Sequence, residues 1–200
     1  MPNWCYNELT LYVDSQHEGK EVLDAFTQES PFQKICPCPE DLLNTVSGFL
    51  GKGTPEQAEL ERKSKENINK YGHANWYDWC NYNWGTKWDV TPDVLDPLTL
   101  NPNGVWSIRV SFDSAWCPPD GLYSYINEKF PEITLDAYWE EPGCGEKGTF
   151  YAHQDMFDAT SEEFTYDDDD EIYEETQEPV RTPTVGAATI LPLPTTKESK

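Results

Sequence analysis

Three stretches of this sequence alternate apolar and polar residues with a period of two. In Asn7–Val13, Leu9, Leu11 and Val13 alternate with Glu8, Thr10 and Tyr12. In Val105–Phe112, Trp106, Ile108, Val110 and Phe112 alternate with Val105, Ser107, Arg109 and Ser111. Ile133–Trp139 repeats the pattern. Successive side chains of a strand point to opposite faces, so these stretches read as half-buried strands. Between them lie helical patterns. Val22, Leu23 and Phe26 put one apolar face on Glu18–Glu29. Pro118-Pro119-Asp120 opens a helix to Phe130, with Leu122, Tyr125, Ile126 and Phe130 on one side. Thr54-Pro55-Glu56 is a helix start with an N-cap and a first-turn proline, and Glu56–Tyr71 is a solvated helix ended by Gly72.

The remaining stretches connect these elements. Pro31, Pro37 and Pro39 mark a loop, and Val90–Gly104 reads as a Pro- and Asn-rich loop. Residues 76–89 hold six aromatics in fourteen positions and read as an aromatic strand. Glu141-Pro142-Gly143 is a turn, and Thr149–His153 a short last strand. The order predicts an α+β fold of β-α-β-β-α-β type, the ferredoxin-like sandwich, with a helical insertion after the first helix. Residues 1–153 form the domain. Residues 154–200 form an acidic, then Pro- and Thr-rich tail, expected to be disordered when free.

Charge narrows the function. The 200 residues carry 37 acids and 14 bases, a net charge of −23. Residues 1–149 hold 24 acids against 11 bases, while residues 150–180 hold 12 acids and no base. A phosphate-backbone binder or a polybasic membrane anchor needs clustered Lys and Arg, which this sequence lacks. No run approaches the roughly 18 apolar residues of a membrane span. The start, Met1-Pro2-Asn3-Trp4-Cys5, has no basic region or apolar core of a signal peptide, so a cytoplasmic protein with reduced cysteines is expected.

The acidic segment 155–178 is the candidate binding element. A block of five like charges, Asp167, Asp168, Asp169, Asp170 and Glu171, usually marks a solvated tail. Here Phe157, Phe164, Tyr166, Ile172 and Tyr173 are interleaved with Asp155, Asp158, Glu162, Glu163, Glu174 and Glu175. A solubilising tail has no use for apolar anchors, whereas a basic groove on a partner does. As a helix, the segment would present a charge about every 3 Å, against about 3.4 Å along one DNA strand. Extended, the spacing is about 6.6 Å. The apolar stretch Val185–Leu193 is either a short docking segment or, more simply, a loose end.

Other constellations have plainer readings. The Trp-rich stretch is a stacking surface for bases on a sheet face, or packing; stacking proteins pair aromatics with Lys or Arg, and only Lys87 and Arg109 lie in these segments. Asp78, Lys87 and Asp89 are a carboxylate–lysine set for general acid–base chemistry, or a polar network bracing turns with Asn3, Asn7, Asn81 and Asn83. Cys36-Pro37-Cys38 is the closest cysteine pair, and there is no C-x-x-C or H-x-x-x-H chelating pair. A convergence of His73 with Cys5, Cys80 and Cys117 is the one metal arrangement the sequence offers, and buried reduced cysteines are the simpler reading. There is no G-x-G-x-x-G, P-loop or G-x-S-x-G, so no cofactor, metal or catalytic residue is assigned.

The motifs Met1-Pro2-Asn3-Trp4-Cys5-Tyr6-Asn7-Glu8-Leu9, Tyr71-Gly72 with Trp76-Tyr77-Asp78-Trp79-Cys80, and Asn83-Trp84-Gly85-Thr86-Lys87-Trp88-Asp89 are long and specific. Phe112 to Pro119 and Tyr138-Trp139-Glu140-Glu141-Pro142-Gly143 add two more. With them the chain resembles the Api-like (YubB-like) proteins of temperate phages and conjugative plasmids over roughly residues 1–150, with the acidic segment outside. The resemblance implies a ferredoxin-like topology and no established enzymatic activity. With the charge, it sets the expectation of a non-enzymatic accessory protein of a mobile element. Such a protein would bind and inhibit a basic host protein, such as a DNA-handling or anti-phage defence enzyme, through its acidic surface and tail, with nucleic-acid mimicry as one mode. The alternative is a single-stranded nucleic-acid or nucleotide binder using sheet aromatics, and a small enzyme using Asp78, Lys87 and Asp89 comes third.

Overall fold

The computed structural model describes residues 2–165. Its elements are β1 (Trp4–Asp14), α1 (Lys20–Ala25), α2 (Pro31–Ile35), α3 (Glu40–Leu43), α4 (Pro55–Tyr71), α5 (Trp76–Asn83), β2 (Asp93–Leu100), β3 (Val105–Ala115), α6 (Asp120–Lys129), β4 (Thr134–Glu141), β5 (Glu146–His153) and β6 (Met156–Glu163). The strands form one antiparallel sheet in the order β2-β3-β1-β4-β5-β6. The first four places are the ferredoxin-like β-α-β-β-α-β arrangement, with α2 to α5 inserted after α1 and a β5–β6 hairpin widening the sheet beyond β4.

Alternation decides which face of the sheet is buried. Leu9, Leu11 and Val13 of β1, Ile108, Val110 and Phe112 of β3, and Leu135 and Ala137 of β4 are buried on one face. Leu23 of α1 and Phe26 at its C-cap, Phe32 of α2, and Leu122, Tyr123 and Ile126 of α6 pack against that face in one core. Burying each large apolar side chain contributes about 1.5–3 kcal/mol. Phe32 lies between two other rings of this core, edge-on to Trp84 and to Phe112 at 5.8 Å each.

Local chemistry explains the helix that best matches its sequence signals. The Thr54 Oγ1 accepts the Gln57 N–H at 3.2 Å, and Gly72 ends α4 at φ 78°, a left-handed value glycine takes without strain.

Five expectations change. The aromatic segment is a helix over Trp76–Asn83, because Asn75 caps it: its Oδ1 accepts the Asp78 N–H and its Nδ2 donates to Asp78 Oδ2, both at 3.1 Å. The presumed loop at 90–104 contains β2, an edge strand whose register shifts twice and which tolerates Pro97 because an edge leaves some N–H groups unused. The loop at 31–39 contains α2, and α1 is shorter than expected. The domain does not stop at His153. Strand β6 pairs with β5 from His153↔Met156 to Glu146↔Glu163, so residues 156–163 belong to the folded body rather than to a tail.

Candidate functional site

Most of the tryptophan motif turns inward and joins elements together. The Trp84 indole N–H donates to the Cys36 carbonyl at 2.8 Å. The Thr86 hydroxyl donates to the Ala115 carbonyl and accepts the Ala115 N–H, at 3.0 and 3.2 Å. Gly85 sits at φ 84°, and a Cβ there would lie 2.9 Å from the Asp120 amide nitrogen at the start of α6. Asp89 accepts the Phe32 N–H at 3.0 Å and the Gln33 N–H at 2.7 Å, capping α2 from across the chain. It also accepts its neighbour Val90 N–H at 2.8 Å. Burial pushes its carboxyl above the usual range despite these donors. Asp78 serves the α5 cap and Lys87 lies over the Trp88 ring at 3.9 Å. Thus Asp78, Lys87 and Asp89 engage separate partners. The asparagines do likewise: Asn7 donates to the Cys5 carbonyl and to Ser114 Oγ, Asn81 to the Tyr77 carbonyl and Asn83 to the Trp79 carbonyl.

The cysteines are free thiols. Burial pushes Cys5 up to about 12 and Cys36 up to about 11, and raises Cys38 and Cys80, which are hydrogen-bonded to each other. His73 lies against Tyr82, with ring centroids 5.1 Å apart. Among the described residues no group of three or more His, Cys, Asp or Glu side chains is placed to hold a metal ion.

The sheet face opposite the core is where charge collects. The register sets Tyr6 of β1 between Asp113 of β3 and Glu140 of β4, Glu8 between Ser111 and Tyr138, and Thr10 between Arg109 and Asp136. Outward from β4 the rows continue through Glu140, Lys147 and Glu162, and through Asp136, Tyr151 and Asp158. Outward from β3, Asp93 and Asp96 lie beside Ser111 and Arg109. Trp4, Tyr12, Tyr138 and Tyr151 on this face are exposed. Same-face neighbours in a sheet stand about 5–7 Å apart, inside a Debye length of about 8–10 Å, so these carboxylates act as one field.

Two bases answer that field. Arg109 pairs with Glu8 at 2.6 Å and approaches Asp96 at 3.7 Å. Lys147 pairs with Glu162 at 3.3 Å. The carboxylates of Asp93, Asp113 and Asp158 make no hydrogen bond or ion pair among the described residues. The excess is felt by its neighbours. Burial and then the Glu8 charge raise the Asp136 carboxyl, and burial with Glu8 or Asp136 raises the Tyr6 and Tyr12 phenols.

The candidate residues at the start of the acidic segment fall on this hairpin. Asp155 is exposed in the β5–β6 turn, and Asp158 and Glu162 lie on the open sheet face. Phe157, expected as an anchor for a partner, lies on the opposite face against Phe150, 6.2 Å between centroids. Glu163 shares that face, opposite Glu146. The Phe164 N–H donates to the Gly145 carbonyl at 2.7 Å, and Lys147 lies 5.6 Å from its ring. Tyr166, Asp167, Asp168, Asp169, Asp170, Glu171, Tyr173, Glu174 and Glu175 lie outside the described residues, as do residues 179–200 with Val185–Leu193. Single-sequence reading misses Asp93, Asp113 and Asp136 as site residues. They are far apart in the chain, and only strand register makes them neighbours.

Fold and open face together define a ferredoxin-like domain with an acidic sheet surface. Residues 83–185 match the family described as the ferredoxin-like domain in Api92-like protein, and the chain belongs to that family. The match takes in the acidic segment 155–178, which the motif resemblance leaves out. Among solved structures, the protein Api92 from Yersinia pseudotuberculosis is similar at 12% identity and a TM-score of 0.39, over 82% of this chain and 99% of that one. Comparison with curated proteins finds no match. No helix among the described residues is long and apolar enough to cross a membrane.

Proposed function

We propose that this protein is a non-enzymatic binding module that engages a basic protein through the open face of its sheet, with the acidic segment 155–178 as a second binding element. The supporting observation is the field of carboxylates around Tyr6, Glu8 and Asp136, which two basic side chains leave largely unneutralised. Aromatic sheet faces bind single strands when bases surround them. Here carboxylates surround the tyrosines, which favours a cationic protein over a nucleic acid. In the setting implied by the resemblance, the partner is a host DNA-handling or defence enzyme in the cytoplasm, and occupation of its DNA-binding surface is the mode of inhibition.

The test is capture of partners from a bacterial host lysate by the full chain and by its Asp113→Lys, Asp136→Lys, Asp158→Lys variant. Asp113, Asp136 and Asp158 are exposed residues of the open face, Asp136 the most enclosed of them, so the change is expected to leave the core intact. Partners held by the wild type at low salt, and lost from the variant, support the reading. Equal recovery by both refutes it. Micromolar binding of a labelled single-stranded oligonucleotide would instead favour the stacking alternative.

A further inference from the structure

One end of the open face carries a cleft of about 330 Å³ unlike the rest of it. Three exposed or half-buried aromatic rings form part of its wall, Trp4 and Tyr6 from β1 and Trp88 from the loop after α5, and the cap residue Asp89 lies among the remaining lining. Trp4 and Trp88 are half exposed, with ring centroids 6.2 Å apart and planes inclined at 41°, which makes an open wedge. Asp93 and Asp113 line the same cleft, and no basic side chain does. Neither carboxylate has a hydrogen bond or ion pair among the described residues. Asp93 faces Ser111 across β2–β3, and Asp113 is two residues further along β3, a diagonal spacing of about 7–8 Å.

Exposed tryptophans beside unpaired carboxylates are an unfavourable arrangement for a free surface and a favourable one for a cation. Aromatic faces attract cations through their quadrupole, most strongly when water is excluded. The ring of Trp88 already does this: the Lys87 ammonium sits 3.9 Å from its centroid, and Lys87 and Trp88 border a neighbouring hollow. Trp116, also exposed, lies 5.8 Å from the same ammonium and holds φ 76°, a left-handed value disfavoured for tryptophan.

We propose that the cleft between Trp4, Tyr6 and Trp88 is a recognition site for an arginine side chain of the basic partner, its guanidinium lying against the indoles and donating to Asp93 and Asp113. This rests on the binding role proposed above and adds a specificity to it. Guanidinium fits better than ammonium here. It is planar, weakly hydrated and stacks on aromatic rings, and its fork of N–H donors can serve two carboxylates at once. The sheet field beyond the cleft attracts any positive charge, whereas the cleft selects which one.

The experiment titrates the full chain with a nona-arginine and a nona-lysine peptide of equal charge, following the indole N–H resonances of Trp4 and Trp88. The arginine peptide is expected to bind about five- to tenfold more tightly and to shift both resonances. Trp4→Ala with Trp88→Ala, or Asp93→Asn with Asp113→Asn, should remove that preference and leave the weaker, salt-sensitive binding of both peptides. The second pair of changes keeps the test sound if the first disturbs the fold. Equal binding of the two peptides, or a preference that survives both variants, overturns the cleft and leaves the acidic-face reading standing. Binding of neither peptide overturns the acidic-face reading itself, and the cleft with it.

Discussion

Replacing Asp89 by alanine distinguishes a structural carboxylate from a catalytic one. In the folded protein its two oxygens take the N–H groups of Phe32 and Gln33, the first turn of α2, which has no side-chain cap of its own. A hydrogen bond to a charged acceptor contributes about 1.5–3 kcal/mol net. Two of them give about 3–6 kcal/mol gross, but the upward net shift means that desolvation outweighs what these donors add to the charged form, so most of the charge-assisted part is cancelled. The loss expected for Asp89→Ala is that of ordinary caps to two amides, about 1–3 kcal/mol. Asp89→Asn keeps one acceptor oxygen and should lose about half as much. Because α2 carries Phe32 into the core, the damage spreads to the contacts with Trp84 and Phe112. Urea unfolding followed by tryptophan fluorescence measures the loss, and native-state hydrogen exchange locates it at the Phe32 and Gln33 amides. A variant within about 0.5 kcal/mol of wild type, with both amides still protected, would refute the capping role and return Asp89 to the list of candidate catalytic groups.

Gly148→Ala tests whether β6 is a true part of the domain. The added Cβ would meet the Thr160 carbonyl and lie 2.8 Å from the Trp139 indole nitrogen, so a loss of about 1–3 kcal/mol and faster amide exchange along β6 are expected; unchanged β6 protection would contradict the pairing. Glu141 is buried and accepts the Gly143 N–H at 3.0 Å and the Cys144 N–H at 2.5 Å. Burial raises its carboxyl, but the Cys144 thiol, these N–H groups and Asn3 outweigh burial, so the net shift is downward. A depressed carboxyl stabilises the fold above its unfolded value of about 4.3 and ceases to do so as pH falls through the folded value. Glu141→Gln should thus melt lower than wild type at pH 7, with the gap closing in acid below about pH 4; a gap that does not change with pH would be inconsistent with this.

The sandwich is legible in the local pattern of the chain. Leu9, Leu11 and Val13, and Ile108, Val110 and Phe112, alternate because one face of their strands is buried, and a period of two survives in one dimension. Helix α4 was equally legible, since Thr54, Pro55 and Gly72 act on their own neighbours. The helix at Trp76–Asn83 is not legible in this way, because aromatics favour strands in general and the deciding signal is a short cap, Asn75 with Asp78. Strands β2 and β6 exist only through their partners. Every residue of β6 is exposed, so no burial pattern marks it, and the free edge of β5 supplies its hydrogen bonds.

The site follows the same division. Acidity is visible as composition, and composition singles out the run after residue 155. Tertiary structure alone brought Asp93, Glu8, Asp113 and Asp136 onto one face and set Trp4 beside Trp88. Strand register couples residues some hundred positions apart, and nothing local in the chain encodes which carboxylates will share a field.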